Sequence, residues 1–244
     1  MNTLLKTMTC AAAALAAMIS LASGCLAQTA VLQQESATLQ GSGTRLQEST
    51  AANPAGLMDP TKATEQAPAE FTALFQTSKG DFKIAVKRAW APNGADRFYN
   101  MIQTGYFDSD IAIFRAIEGF MFQFGIHGDP AVSAKWSESN IQDDPFAGNS
   151  NTTGRLSFAQ TGRPNSRSIQ MFVNLGNNSR LDQTPFVPFG EITEGLDVVK
   201  KIYTKYGENP RGENIQGQFK ENGNAYIFKR FPSIDMIKKV SIVK

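Results

Sequence analysis

The sequence predicts a mainly β domain, built as a closed or nearly closed antiparallel barrel. Apolar residues alternate with polar or smaller ones at the start of the domain, which is typical of half-buried strands. Further short apolar runs follow, and only two segments carry the longer spacing of a helix. Many short strands with only two helices indicate a barrel.

The domain is expected to open with a β-hairpin. Apolar residues occupy every second position in 71–75 and again in 82–86, and the turn residues Ser-Lys-Gly lie between them at 78–80. A period of two over both arms predicts a pair of antiparallel strands.

Two segments are predicted as helices. The first, 92–105, begins with proline and ends with glycine, which are favoured at the first helical position and just after the last one. The second, 195–206, carries an apolar stripe at helical spacing and is followed by Gly207. The remaining short apolar runs are expected to be strands: 111–117, 119–124, 155–160, 169–174, 186–192, 225–228 and 236–243.

The first residues are interpreted as a secretory signal peptide, 1–24. Lys6 precedes a small apolar run at 10–21 that is too short to span a bilayer as a helix. The sequence L-A-S-G-C ending at Cys25 resembles a bacterial lipobox, which makes Cys25 a candidate for lipidation and predicts an exported, envelope-anchored protein. Ordinary cleavage after Ala27 is the alternative.

The next segment, 25–69, is predicted as a flexible tether to a single domain at 70–244. It is rich in Gln, Ser, Thr, Ala, Gly and Pro and has weak apolar periodicity.

Composition excludes several classes of function. Cys10 and Cys25 are the two cysteines of the chain, so the domain has no disulfide, no cysteine nucleophile and no cysteine-based metal site. The 24 basic and 22 acidic residues nearly balance, and no basic run with interleaved aromatics occurs. Nucleic acid is therefore not an expected partner.

One stretch combines polar residues with an unusually dense apolar set. Residues 114–125 read F-R-A-I-E-G-F-M-F-Q-F-G, and unpaired polar groups among so many phenylalanines would be costly. The stretch resembles the motif F-H-R-x-I-x-G-F-M-x-Q-G-G of the cyclophilin-type peptidyl-prolyl cis-trans isomerases. The resemblance puts Arg115 and Gln123 at catalytic positions, and Phe120 and Met121 in the proline pocket.

Two later blocks extend this resemblance. Residues 156–174 are similar to the family form L-S-M-A-N-x-G-P-N-T-x-x-S-Q-F-F-I, and residues 180–199 to L-D-x-x-x-V-F-G-x-V. The matched positions imply further substrate-binding residues, which are Ala159, Gln160, Gln170, Phe172, Leu181 and Phe186. Phe186 stands where many members carry a histidine, and Arg180 replaces a tryptophan.

The resemblance implies an eight-stranded antiparallel barrel capped by two helices, acting on proline-containing peptides and unfolded exported proteins. No metal or cofactor is expected, contact with a membrane is expected only through the lipid anchor, and the protein is expected to be a monomer. One alternative is a cyclophilin-fold peptide-binding module or chaperone with little catalysis. Another is an unrelated barrel lipoprotein that binds a small apolar ligand.

Three features leave the family pattern or carry no catalytic prediction. The segment 131–144 replaces an expected glycine-rich loop, and the insertion 208–223 has no family counterpart; both are interpreted as loops. His127 is the one histidine and is expected to have a loop or hydrogen-bonding role.

Overall fold

The computed structural model describes residues 53–184, 186–208 and 213–243. The predicted signal peptide, the candidate lipidation site Cys25 and most of the predicted tether lie outside these residues and stay predictions.

Nine strands form one antiparallel sheet within the described ranges. In sheet order they run β3-β9-β1-β2-β8-β6-β7-β5-β4. In chain order they are β1 (Glu70–Thr77), β2 (Gly80–Lys87), β3 (Ile111–Ala112), β4 (Arg115–Ile117), β5 (Met121–Phe124), β6 (Arg155–Phe158), β7 (Met171–Asn174), β8 (Pro188–Glu194) and β9 (Met236–Val243).

The sheet curls because its two end strands are neighbours in the chain. Strands β3 and β4 stand at opposite ends of the sheet order, yet only Ile113 and Phe114 separate them. Three Cα–Cα steps reach at most about 11 Å, so the two edges lie close together. The predicted strand 111–117 is thus divided into two short strands, β3 and β4. The predicted mainly β fold class with one curled antiparallel sheet is confirmed.

Four helices accompany the sheet in the described part of the chain. They are α1 (Pro92–Gln103), α2 (Pro130–Glu138), α3 (Leu196–Val199) and α4 (Ile215–Arg230). Helix α1 confirms the first predicted helix. The second predicted helix is much shorter than expected, because the helical hydrogen bonding of α3 ends after one turn.

Helix α2 corrects the prediction of a loop at 131–144. The Asp129 side chain accepts a hydrogen bond from the Ala131 backbone N–H, and Pro130 occupies the first turn, which together favour a helix start. Trp136 is fully buried and anchors the helix on the domain.

Helix α4 corrects two predictions, the loop at 208–223 and the strand at 225–228. The helix is kinked at Gly223, whose backbone is non-helical (φ 61°, ψ −155°). This break interrupts the helical period in the sequence. Buried Phe219 and Ile227, one on each side of the kink, attach both halves to the domain.

The barrel interior is filled by stacked aromatic side chains. Phe75 stacks on Phe82 with ring centres 4.7 Å apart, and Phe98 of α1 packs on Phe75 at 5.9 Å. Phe122 and Phe124 of β5 are fully buried in the core. Since side chains alternate along a strand, their β5 neighbours Met121 and Gln123 point to the opposite face.

The end of the predicted tether lies against the domain. The Trp136 indole N–H donates to the Leu57 carbonyl over 2.8 Å, and the Glu65 backbone N–H donates to the Asn100 side chain over 2.9 Å. The prediction of a flexible tether is therefore wrong for residues 53–69. The prediction rested on the polar composition and weak periodicity of the segment. These features do not show that side chains far away in the chain bind its backbone.

Candidate active site

A groove of about 620 Å³ opens on the outside of the barrel. All ten residues that the sequence predicts for the site line this groove. They are Arg115, Phe120, Met121, Gln123, Ala159, Gln160, Gln170, Phe172, Leu181 and Phe186.

Strand register places the key side chains in a row. Arg115 of β4 lies opposite Gln123 of β5, Gln123 lies opposite Phe172 of β7, and Phe172 lies opposite Ser157 of β6. Directly opposed residues of adjacent strands project to the same face of a sheet. The register therefore aligns one cation, one amide and one aromatic ring across three neighbouring strands.

The polar side chains of this row form a directed chain of hydrogen bonds. The Arg115 Nη1 donates to Gln123 Oε1 over 3.0 Å, and Gln123 Nε2 donates to Gln170 Oε1 over 2.6 Å. An arginine has no acceptor, so Gln123 must present its carbonyl to Arg115 and its NH₂ to Gln170. The guanidinium thereby fixes the orientation of both amides.

Two residues that sequence reasoning missed extend this chain at its ends. Arg115 Nη2 donates to Glu208 Oε2 over 2.6 Å, and Gln170 Nε2 donates to Gln216 Oε1 over 3.2 Å. Both residues belong to the segment interpreted as an insertion without a family counterpart. The only indication in the sequence was that this segment had no match in the family motifs, and that did not predict where the two side chains would lie.

An apolar pocket adjoins the polar chain. Met121 and Phe172 are 2% and 5% exposed, and the Phe172 and Phe186 rings meet edge to face at 5.6 Å. Phe120 and Leu181 complete the apolar part of the groove lining. The pocket thus offers rigid, desolvated aromatic walls beside a cation.

The rim of the groove carries a second arginine. The guanidinium carbon of Arg180 lies 4.8 Å from the Phe120 ring centre, and that of Arg115 lies 5.9 Å from it. Both distances are within the range of cation–π attraction. The residue that replaces the family tryptophan therefore still packs against the pocket.

One edge of the groove has polar groups suited to a peptide backbone. Strand β6 ends at Phe158, and the next N–H, of Ala159, donates to the Gln170 carbonyl over 2.8 Å. Gln160 follows, and its side-chain Oε1 is buried without a hydrogen-bond partner among the described residues. An unpaired buried acceptor is costly, so this atom is suited to accept an N–H from a bound peptide.

The turn that carries Leu181 is anchored by a carboxylate. Asp182 accepts hydrogen bonds from the Ser150 hydroxyl and from the backbone and side chain of Asn151. Burial acts to raise the pKa of Asp182, but these hydrogen bonds outweigh it and lower the pKa below the ordinary value. The pocket wall at Leu181 is thereby held in place.

Within the described ranges, no group of three or more His, Cys, Asp or Glu side chains is placed to hold a metal ion. The same residues contain no helix that is both long and apolar enough to cross a membrane.

The model of the family "Cyclophilin type peptidyl-prolyl cis-trans isomerase/CLD" matches residues 72–218, which include the whole row of groove residues. The chain belongs to the cyclophilin family. The match confirms the resemblance drawn from the three sequence blocks, and the family is one of peptidyl-prolyl cis-trans isomerases.

Curated relatives of this cyclophilin carry the same family name. Peptidyl-prolyl cis-trans isomerase B of Escherichia coli is 31% identical over 135 residues, covering 52% of this chain and 81% of the relative. A peptidyl-prolyl cis-trans isomerase of Streptomyces antibioticus is 31% identical over 138 residues, covering 54% and 82%.

Solved structures share the fold. The cyclophilin-type isomerase of Cryptosporidium parvum superposes with a TM-score of 0.54 at 19% identity, covering 72% of this chain and 98% of that one. A second structure of the same protein, determined in the presence of the dipeptide Ala-Pro, gives a TM-score of 0.52.

Proposed function

We propose that this cyclophilin accelerates cis–trans rotation about X–Pro bonds of exported proteins, using Arg115 and the adjoining apolar pocket. The observation that carries the proposal is the placement of the Arg115 guanidinium beside a cavity walled by Met121, Phe172 and Phe186. Family membership supports the reaction class, and the structure of a relative obtained with Ala-Pro supports a proline ligand.

The reaction requires no nucleophile and no metal. An X–Pro bond rotates through a twisted amide that has lost its resonance, over a barrier of about 18–20 kcal/mol. The aromatic pocket would hold the pyrrolidine ring while the preceding residue turns. A site that binds the twisted state better than either planar state lowers the barrier.

Arg115 is suited to favour the twisted state. Each terminal nitrogen of a guanidinium carries two N–H groups, and the bonds to Gln123 and Glu208 use one of each pair. The second N–H of each nitrogen is left to donate to a prolyl carbonyl or to the prolyl nitrogen. That nitrogen gains a lone pair only as resonance is lost, so the interaction strengthens in the transition state.

The edge at Ala159 and Gln160 would align the peptide. An extended substrate can pair its backbone with such an edge as an added strand does, which fixes the proline over the pocket. The buried Gln160 Oε1 supplies an acceptor for one peptide N–H.

The experiment is cis–trans exchange of an X–Pro peptide, followed by NMR with the purified full chain. Wild type should accelerate exchange, and Arg115→Ala should lower kcat/KM about 100-fold, the usual cost of removing one preorganised donor. Arg155→Ala is the matched control, because Arg155 also pairs with a glutamate, Glu191, but lies outside the groove lining. No acceleration by wild type, or equal rates for wild type and Arg115→Ala, contradicts the proposal.

The second candidate function is a peptide-binding module with little turnover. Glu208 favours it, since its carboxylate already engages the proposed catalytic guanidinium at 2.6 Å. Chemical-shift titration with the same peptide separates the two functions: saturable binding without accelerated exchange supports the module.

We further propose that the protein is exported and held at a membrane surface by lipidated Cys25. Metabolic labelling with a fatty-acid analogue should mark wild type and leave Cys25→Ser unlabelled. Absence of label from wild type contradicts the lipid anchor.

A further inference from the structure

We infer that Glu208 and Gln216 belong to the catalytic apparatus as positioning residues for Arg115. This inference rests on the proposed function. The five side chains form one continuous hydrogen-bonded series across the groove: Glu208, Arg115, Gln123, Gln170 and Gln216. Both ends of the series come from the segment 208–223, for which the sequence motifs predicted no site residue.

The geometry of the series leaves only one arrangement of donors and acceptors. Arg115 donates in both directions, so Gln123 and Gln170 both turn their carbonyls towards it and their NH₂ groups away. The last NH₂, on Gln170, then requires an acceptor, and Gln216 Oε1 supplies it at 3.2 Å. A donor at position 216 would be incompatible with this order.

Helix α4 holds Gln216 in register with Arg115. Phe219 is fully buried and its ring meets that of Phe114, the residue before Arg115, edge to face at 6.4 Å. Further along the helix, the Asn224 backbone N–H donates to the Gly128 carbonyl over 2.9 Å. The ring contact attaches α4 to the strand segment that carries Arg115, and the backbone hydrogen bond attaches it to the chain between β5 and α2.

The opposite end of the series restrains the guanidinium itself. Arg115 is 22% exposed, and Glu208 Oε2 and Gln123 Oε1 each hold one of its terminal nitrogens. A planar group held at both ends has its plane fixed, so its remaining N–H groups keep one direction. Loss of either hydrogen-bond partner should widen the range of guanidinium orientations and lower the rate of the chemical step.

The test is a set of substitutions at position 216, measured by peptide exchange at increasing peptide concentration. Gln216→Ala should lower kcat about three- to ten-fold with KM changed less than two-fold, because only one hydrogen bond is lost, at the end of the series remote from Arg115. Gln216→Glu keeps the acceptor and should retain wild-type kcat. Gln216→Lys presents a donor to a donor and should be at least as impaired as Gln216→Ala.

Two controls separate positioning from damage to the helix. Gln218 lies on the same helix, is exposed and does not line the groove, so Gln218→Ala should leave kcat unchanged. In the Gln170→Ala background the link to Arg115 is already cut, so adding Gln216→Ala should have no further effect. Equal kcat for wild type and Gln216→Ala, or equal losses for Gln216→Ala and Gln216→Glu, overturns the role of Gln216.

Glu208→Ala tests the other end. It should lower kcat by a similar factor, whereas an increase would mean that Glu208 competes with the peptide for Arg115 and would overturn its positioning role. The side-chain N–H resonances of Arg115 and Gln123 provide a readout without turnover. These resonances should shift in Gln216→Ala, relative to wild type, and not in Gln218→Ala. If the resonances shift in this way but the wild-type protein shows no turnover, the proposed function fails while the structural link stands.

Discussion

The Arg167 guanidinium donates to the Asp144 carboxylate over 2.9 Å, and both side chains are 1% exposed. The two Asp144 oxygens also accept the backbone N–H groups of Asn93 and Gly94 in the first turn of α1. One buried carboxylate thus joins the start of the helix to the segment between β6 and β7, which begins with the groove residues Ala159 and Gln160.

Removal of this carboxylate should destabilise the domain strongly. Asp144→Ala leaves buried Arg167 with Asp143, 3.3 Å from its Nε, as its remaining carboxylate partner and leaves two helix N–H groups without an acceptor, and we expect a loss of about 3 kcal/mol in the free energy of unfolding. Urea denaturation measures it. Asp197→Ala, which breaks an exposed pair with Lys201, should give no measurable loss. Equal stabilities of Asp144→Ala and wild type would contradict the structural role.

Truncation of the pocket wall should weaken binding more than folding. Phe186 is half-buried and packs edge to face on Phe172, so Phe186→Ala removes contact area that a proline ring would use. We expect KM for an X–Pro peptide to rise about ten-fold, corresponding to about 1.4 kcal/mol of lost apolar and aromatic contact. Phe146 is 51% exposed and outside the groove lining, and Phe146→Ala should leave KM unchanged.

The stability of the domain should fall in mild acid because of His127. Its Nδ1 accepts the Asp129 backbone N–H over 3.0 Å, and its Nε2 lies 2.9 Å from the Ser109 hydroxyl, which confirms the predicted hydrogen-bonding role. Nδ1 is therefore unprotonated and the neutral ring carries its hydrogen on Nε2. Burial lowers the pKa of His127 below its ordinary value, despite the nearby carboxylate of Asp129.

The sign of the pH effect follows from proton linkage. Well above about pH 6.5 neither state holds the proton, and as the pH falls through this value the unfolded chain takes up a proton that the folded protein resists. The free energy of unfolding should therefore drop as the pH falls from about 6.5 towards the folded-state pKa. Urea melts between pH 7.5 and 5 measure this slope, which should be smaller in His127→Gln; equal slopes would contradict the assignment to this single histidine.

Replacing two glycines of positive φ by alanine should lower the stability of the domain by different amounts. At Gly125 (φ 112°) an added Cβ would lie 2.1 Å from the Ile169 carbonyl oxygen, at the end of the β5–β7 pairing. At Gly119 (φ 68°) nothing lies within 4 Å of such a Cβ. Gly119→Ala should cost about 1 kcal/mol of left-handed strain, and Gly125→Ala more than about 2 kcal/mol. Thermal melts of the two variants compare the costs, and similar values would contradict the predicted clash.

The sequence carried enough information to predict the row of groove residues. Strand alternation alone places Met121 and Gln123 on the face opposite Phe122 and Phe124, and the two phenylalanines face the core. The three similar blocks then supplied the candidate groove residues on the other strands. Patterns of this kind are local, so they survive in a single sequence without knowledge of the rest of the fold.

The helical parts were predicted less well, for a physical reason. Helix α2 is held by a cap at Asp129 and a buried tryptophan, neither of which produces a regular apolar period. Helix α4 is interrupted at Gly223, so its two halves carry no common stripe. Both helices owe their stability to packing against distant segments, which a window of consecutive residues does not contain.

By itself the sequence determined the barrel, the cation, the amide and the aromatic ring of the groove, because a period of two and a short motif place neighbouring side chains on a defined face. The tertiary structure alone decided that Glu208 and Gln216 meet the two ends of that row. Their partners are 93 and 46 residues away in the chain, and contacts over such separations exist only after the sheet has curled and α4 has packed against Phe114.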